Sequence, residues 1–154
     1  MSYVSKEEFA EGVKKYQSDL YRLAMFYMKN DADAQDAVGD AVLKAFEKRG
    51  ALEDKEKFKS WILTILTNTC QTTLKKKKRI VYVEDVWKNE EPVTKKPDEM
   101  RELVLELEDE FRQVVVLYYY EGLSVGEISS SLGVSKGTIK SRLARARKKL
   151  KVLL

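Results

Sequence analysis

The chain has 154 residues, a formal net charge of +4 and 44% apolar residues, with one cysteine and no histidine. That length suits one ordinary domain or two small ones, and the apolar content is enough to build cores. A Cys/His zinc site, a histidine-based catalytic triad and an internal disulfide are excluded at once.

In chain order, the first signal is a capping-box pattern, Ser5 and Glu8, ahead of Phe9, Val13, Tyr16, Leu20 and Leu23. Their spacing of three or four residues predicts helix. The same stretch carries Glu7, Glu8, Glu11 and Asp19 and lacks the apolar run of a signal peptide. Asp31 or Asp33 caps a second segment with Val38, Val42, Ala45 and Phe46 inward. Asp54 caps a third, with Phe58, Trp61, Ile62, Ile65 and Leu66 inward. Phe58 and Trp61 read as core rather than as base-stacking platforms, and Cys70 as a small buried hydrophobe. The longest uncharged run, residues 60–74, holds five Thr, an Asn and a Gln, so it is too short and too polar to span a membrane. A cytoplasmic protein without membrane insertion is expected.

Residues 80–83, "IVYV", have no second strand to pair with and read as extended linker. Both prolines, Pro92 and Pro97, follow in "NEEPVTKKPDEM", where each removes a backbone donor and disfavours helix in the residue before it. The linker is placed at residues 80–98, between units at 1–79 and 99–154. Asp98 then caps a helix carrying Leu103, Leu107, Phe111, Val114, Val115 and Tyr118. Tyr118, Tyr119 and Tyr120 point three ways on that helix and pack the second unit. The expected fold is all-α: two small helical domains, the N-terminal one larger, joined by a flexible linker.

Charge is unevenly distributed. Residues 1–79 carry 16 bases and 12 acids, residues 80–100 carry 3 and 6, and residues 101–154 carry 10 and 7. The bases concentrate in two runs. One is Lys75, Lys76, Lys77, Lys78 and Arg79; the other spans residues 136–151. Five adjacent cations repel one another unless a polyanion neutralises them, so nucleic acid is the natural partner.

The C-terminal stretch "EGLSVGEISSSLGVSKGTIKSRLARARKKL" parses as a helix-turn-helix. Ser124 and Glu127 form a second capping box, Ile128 and Leu132 face inward, and Gly133 supplies the turn. Val134 plugs that turn and Ser135 caps a second helix over residues 136–149. At 100° per residue, Ile139, Leu143, Ala146 and Leu150 share one face. Gly137, Ser141, Ala144, Arg145 and Lys148 fall opposite, with Lys140 and Arg147 on one flank and Arg142 and Lys149 on the other. Small residues at 137, 141 and 144 let the helix approach base edges while the flanks hold phosphates.

These residues resemble region 4 of the extracytoplasmic-function sigma factors of bacterial RNA polymerase, members of the sigma-70 family. The N-terminal half carries the same resemblance. "LYRLAMFYMKNDADAQDAVGDAVLKAFEK" is similar to regions 2.1 and 2.2, and "FKSWILTILTNTCQTTLKKKKR" to regions 2.3 and 2.4. The resemblance implies a sigma factor that directs core RNA polymerase to promoter DNA and helps open it, with no enzymatic activity and no cofactor. It implies −35 contacts at Lys140, Ser141, Ala144 and Arg145, to which Lys136, Thr138 and Lys148 are added. It places Asn68 near the −10 element, with Lys75, Lys76, Lys77, Lys78 and Arg79 on phosphates beside the bubble. The loop at residues 50–57 matches the place where the family holds a flipped-out base, an extrusion costing a few kcal/mol. Asp36, Asp40 and Lys44 match the helix that meets the polymerase clamp. An anti-sigma factor is a frequent further partner in the family.

Four positions depart from the family pattern: Glu108 where Leu-Pro is usual, Thr72 where Asp is common, Gly39 where Gln is frequent, and Ser129 where helix-turn-helix motifs prefer Ala. Two rival functions are weighed. A stand-alone helix-turn-helix regulator binding operator DNA has no use for the region 2-like block. A nucleic-acid-processing enzyme lacks any phosphate loop or carboxylate cluster for two metals in this chain.

Overall fold

The structure, a computed structural model, describes the backbone of residues 4–85 and 99–153 and the side chains of residues 4–77 and 99–152. Within them the regular elements are helices: α1 (Lys6–Lys15), α2 (Gln17–Met28), α3 (Asp31–Glu47), α4 (Phe58–Asp85), α5 (Glu99–Glu106), α6 (Asp109–Val115), α7 (Val125–Leu132) and α8 (Lys136–Leu153). Pro92, Pro97 and Asp98 lie outside the described residues.

The first expected helix is two. Ser5 and Glu8 form the capping box of α1, but the chain bends at Tyr16 (φ −104°, ψ 15°) before α2. The bend points Phe9 and Leu20 into one core from two directions. The cap of α3 is Asn30, whose side chain accepts from the Asp33 amide at 2.9 Å, not Asp31 or Asp33. The inward stripe of α3 is also smaller than expected. Ala34, Ala37, Ala41 and Ala45 are buried, while Val38, Val42 and Phe46 are half-buried at its edges. Alanines there let α3 pack closely on α2 and α4.

Asp54 does cap the third segment, accepting from the Glu56 amide at 3.0 Å, through a 3₁₀ turn (Lys55–Lys57) that runs into α4. Along α4, Phe58, Ile62, Leu63, Leu66 and Cys70 are buried. Fully burying an aliphatic side chain is worth about 1.5–3 kcal/mol. Most threonine hydroxyls of this run bond back to the helix, although that of buried Thr64 has no partner among the described residues. Thr67 donates to the Leu63 carbonyl at 2.9 Å and Thr69 to that of Ile65 at 3.0 Å. Buried Tyr27 donates to Gln71 at 3.1 Å. Residues 80–83, expected as extended linker, are helical within α4. Extending a formed helix is cheap, and no Gly or Pro stops it there.

The helix expected after Asp98 is also two, broken at Leu107 and Glu108. Buried Arg112 secures the break, donating to the Leu107 carbonyl at 2.7 Å and to Asp109 at 3.1 Å. Helix α6 ends in a π-helical turn (Val116–Tyr120), where the Glu121 N–H reaches back five residues to the Val116 carbonyl at 3.0 Å. Tyr118, Tyr119 and Tyr120 are exposed rather than packed inside.

The two halves share one hydrophobic core. Arg101 donates to the Met25 and Phe26 carbonyls at the end of α2 and lies over the Phe26 ring, 5.3 Å from its centroid. Tyr120 packs on the same ring, with centroids 4.4 Å apart. Arg22 approaches Glu121 at 3.7 Å.

Candidate nucleic-acid interface

The C-terminal motif folds as its sequence dictates. Ser124 and Glu127 close the capping box of α7 with hydrogen bonds of 3.0 Å each way. Gly133 ends α7 at φ 70°, a conformation that penalises any β-carbon. Ser135 accepts from the Thr138 amide at 3.1 Å and starts α8. Ser129, where a small apolar residue is usual, donates its hydroxyl to the Val134 carbonyl at 2.5 Å and ties the turn together.

On α8, Ile139, Leu143 and Ala146 are buried against the motif, with Leu150 half-buried below them. Ser141, Ala144, Arg145 and Lys148 are exposed on the opposite side and Lys140 on a flank, while Lys136, also exposed, lies at the start of the helix beside Gly126 of α7. Thr138 is half-buried and its hydroxyl lies 2.9 Å from that of Ser135, so it belongs to the helix cap more than to the open face. Two flank cations are already engaged. Arg147 donates to the Tyr119 hydroxyl at 2.9 Å, and Lys149 pairs with Glu108 at 2.8 Å.

On the second basic surface Asn68, Lys75 and Lys76 are exposed, but two of them already have partners. Asn68 accepts from the Gln113 side chain at 2.5 Å, and Lys75 pairs with Asp109. Burial raises the Asp109 carboxyl, but Lys75 and Arg112 outweigh it and hold the group below the usual carboxylate range. Lys77 pairs with Asp33 of α3 and depresses that carboxyl too, helped by Asn30. Lys76 is exposed. The side chains of Lys78 and Arg79 lie outside the described residues. The loop at residues 50–57 walls a cavity of about 400 Å³ with Trp61, closed on its far side by Ser130 and Ser131 of α7. Trp61 is half-buried there and Phe58 is core. Cys70 is buried, and burial pushes its thiol up to about 12.

Residues 13–80 match the Sigma-70 region 2 family and residues 98–150 the Sigma-70, region 4 family. The chain is 32% identical over 147 residues to the RNA polymerase sigma factor SigV of Bacillus subtilis, covering 92% of this chain and 88% of the relative. It is 31% identical over 154 residues to the ECF RNA polymerase sigma factor SigM of Mycobacterium tuberculosis, covering 95% and 76%. The chain belongs to the extracytoplasmic-function sigma factors of the sigma-70 family. It is an RNA polymerase sigma factor of promoter-specific transcription initiation.

Solved structures share the fold. The sigma factor RpoE of Bartonella quintana, in complex with the anti-sigma factor NepR, superposes with a TM-score of 0.68 at 26% identity over 96% of each chain. CnrH, in complex with the cytosolic domain of CnrY, gives 0.68 at 22% over 97% of this chain and 88% of that one.

In this sigma factor, Asp36, Asp40 and Lys44 are exposed on α3. Between them stands a residue that periodicity alone did not single out: Leu43, 60% exposed. A large aliphatic side chain amid acids on an outer helix face is the available signal. Gln113 and Asp109 were also missed as partners of the α4 surface, and no local signal marks them. Among the described residues, no helix is long and apolar enough to cross a membrane.

Proposed function

We propose that the sigma factor brings core RNA polymerase to its promoters by reading the −35 element with α8 and the −10 element with α4. On α8, Lys140, Ser141, Ala144 and Arg145 meet base edges while Lys136, Thr138 and Lys148 hold phosphates. On α4, Asn68 reads the −10 element, and Lys75, Lys76, Lys77, Lys78 and Arg79 hold the opening bubble. Asp36, Asp40 and Lys44, with Leu43 between them, meet the polymerase. The observation that carries this reading is the two-sided α8: Ile139, Leu143 and Ala146 are buried, while Lys140, Ser141, Ala144, Arg145 and Lys148 are exposed.

The protein acts by binding, not by catalysis, and works in the cytoplasm. The solved complex of RpoE with NepR supports an anti-sigma factor as a further partner.

The test adds purified protein to sigma-free core polymerase, maps transcription starts, and follows permanganate reactivity of thymines near −10. Specific starts and core-dependent melting are expected. Tight operator-like binding by the protein alone, with no core-dependent melting, overturns the reading.

A further inference from the structure

We propose that Tyr119 and Arg147 form a composite clamp for one backbone phosphate of the −35 duplex. Tyr119 presents the Arg147 guanidinium and donates its own hydroxyl to the same phosphate. This rests on the reading of α8 as the −35 helix and extends it to a residue outside the helix-turn-helix. Arg147 donates to the Tyr119 hydroxyl oxygen at 2.9 Å. A phenol that accepts a hydrogen bond keeps its own O–H to give, and a guanidinium has five N–H donors. Among the described residues nothing accepts the Tyr119 proton, and Arg147 has no carboxylate partner. Lys149, by contrast, is paired with Glu108. Arg147 is therefore held by a neutral group, and its whole charge remains for an anion.

The fold holds this pair at the edge of the reading face. Tyr119 sits in the π-helical turn, a departure from regular helix that recurs at functional sites. Val116 and Leu117 anchor the turn in the core, while Tyr119 stands 51% exposed. Tyr118 meets the Tyr119 ring edge-on, with centroids 4.9 Å apart, and buttresses it. On α8, Arg147 is exposed on the same flank as Lys140, two turns or about 10 Å farther along the axis. A recognition helix meets base edges with its N-terminal residues, so its distal part lies where the helix leaves the groove and the backbone passes. A phosphate there would meet a charged donor from α8 and a neutral one from the π turn. Gripping an anion costs a long side chain its rotamer freedom, and the Tyr119 hydrogen bond restricts Arg147 beforehand. A carboxylate in place of the phenol would give the same order but neutralise the charge.

The test uses the holoenzyme on a promoter duplex, with binding measured at several salt concentrations and phosphate contacts mapped by ethylation interference. Arg147→Gln should lower affinity roughly tenfold and reduce the salt slope by about one. It should also erase interference at one phosphate bordering the −35 element. Tyr119→Phe, which keeps the exposed ring, should erase the same interference and lower affinity roughly threefold. A merely structural role of the ring would not single out one phosphate. In the Arg147→Gln background, Tyr119→Phe should add little, because the two groups act as a unit. Preference among −35 sequences should stay unchanged in all three variants. Interference retained in Tyr119→Phe, or fully additive losses, overturns the part given to Tyr119. An unchanged slope and pattern in Arg147→Gln overturns the clamp, and an altered base preference overturns its assignment to phosphate. The −35 reading itself fails separately: Arg145→Ala would then leave the −35 preference intact, whereas the interference pattern reports the clamp by itself.

Discussion

The Phe58 ring occupies the space that a β-carbon on Gly12 would need, with Cε1 only 2.6 Å and Cζ 2.7 Å from that position. The ring is held by two aromatic neighbours. It is 6% exposed, edge-on to Phe9 at 5.8 Å and stacked on Tyr16 at 6.2 Å. Glycine at position 12 is therefore what allows α1 to lie against the start of α4.

Gly12→Ala should destabilise the protein by about 1–3 kcal/mol through overpacking, against a helix-propensity gain of about 1 kcal/mol. Urea unfolding measures it. Adding Phe58→Leu should recover part of the loss, which would appear as a favourable coupling in the double-mutant cycle. Additive effects would show that the ring is not the obstacle.

Gly39 is the opposite case. It sits mid-way along α3 and is exposed, and a β-carbon there meets nothing within 4 Å. Gly39→Ala should stabilise the chain by about 0.5–1 kcal/mol. Its neighbours Asp36, Asp40 and Leu43 form the proposed polymerase contact, so core affinity should fall in the same variant. Higher unfolding midpoint with unchanged core affinity would move that contact elsewhere.

Arg145 and Lys148 are exposed on the same side of α8 but should do different work. Arg145→Ala should cost roughly 1–3 kcal/mol at the −35 element and relax its sequence preference. Lys148→Ala should weaken all duplexes about equally and reduce the salt slope by about one. Binding to a randomised −35 library at several salt concentrations separates the two, and identical behaviour would redraw the reading face.

Glu121 stores a pH dependence. Its side chain is 2% exposed, and burial pushes the carboxyl from 4.5 up to about 7 despite Arg22 at 3.7 Å. Its Oε2 has no hydrogen-bond partner among the described residues. A raised carboxyl means that the folded state holds the proton more tightly than the unfolded chain. Its stabilising contribution is thus complete below pH 4.5 and lost as pH rises through about 7. Glu121→Gln should be more stable than the parent at pH 8 and should flatten the stability profile between those values. Thermal unfolding across that range is the measurement, and parallel profiles would count against it.

The features legible in the sequence were those with local chemical markers. Ser124, Glu127, Gly133 and Ser135 each announce a boundary through their own side chain or backbone freedom, and all four act as expected. The two faces of α8 followed from periodicity because burial alone decides them. The breaks at Tyr16 and Leu107 had no Gly or Pro to announce them. The second depends on Arg112 reaching back five residues to a carbonyl, which no apolar pattern encodes. The cap of α3 was legible in principle, since Asn30 is as good a cap as Asp. The pairing of Asn68 was not, because Gln113 lies 45 residues away in another helix.

The π-helical turn at Val116–Tyr120 sets a phase. Its carbonyl-to-amide step of five residues at Val116 and Glu121 accommodates one residue more than a regular α-helical turn. Winding the same residues as a regular α-helix would turn everything beyond the turn by about 100°. Tyr120 would leave the Phe26 ring, Glu121 would leave Arg22, and buried residues beyond the turn, Leu123 and Ile128 among them, would be carried out of their places in the core. The docking of one half of the molecule on the other is thus written in a residue count, not only in the identities of the side chains that touch.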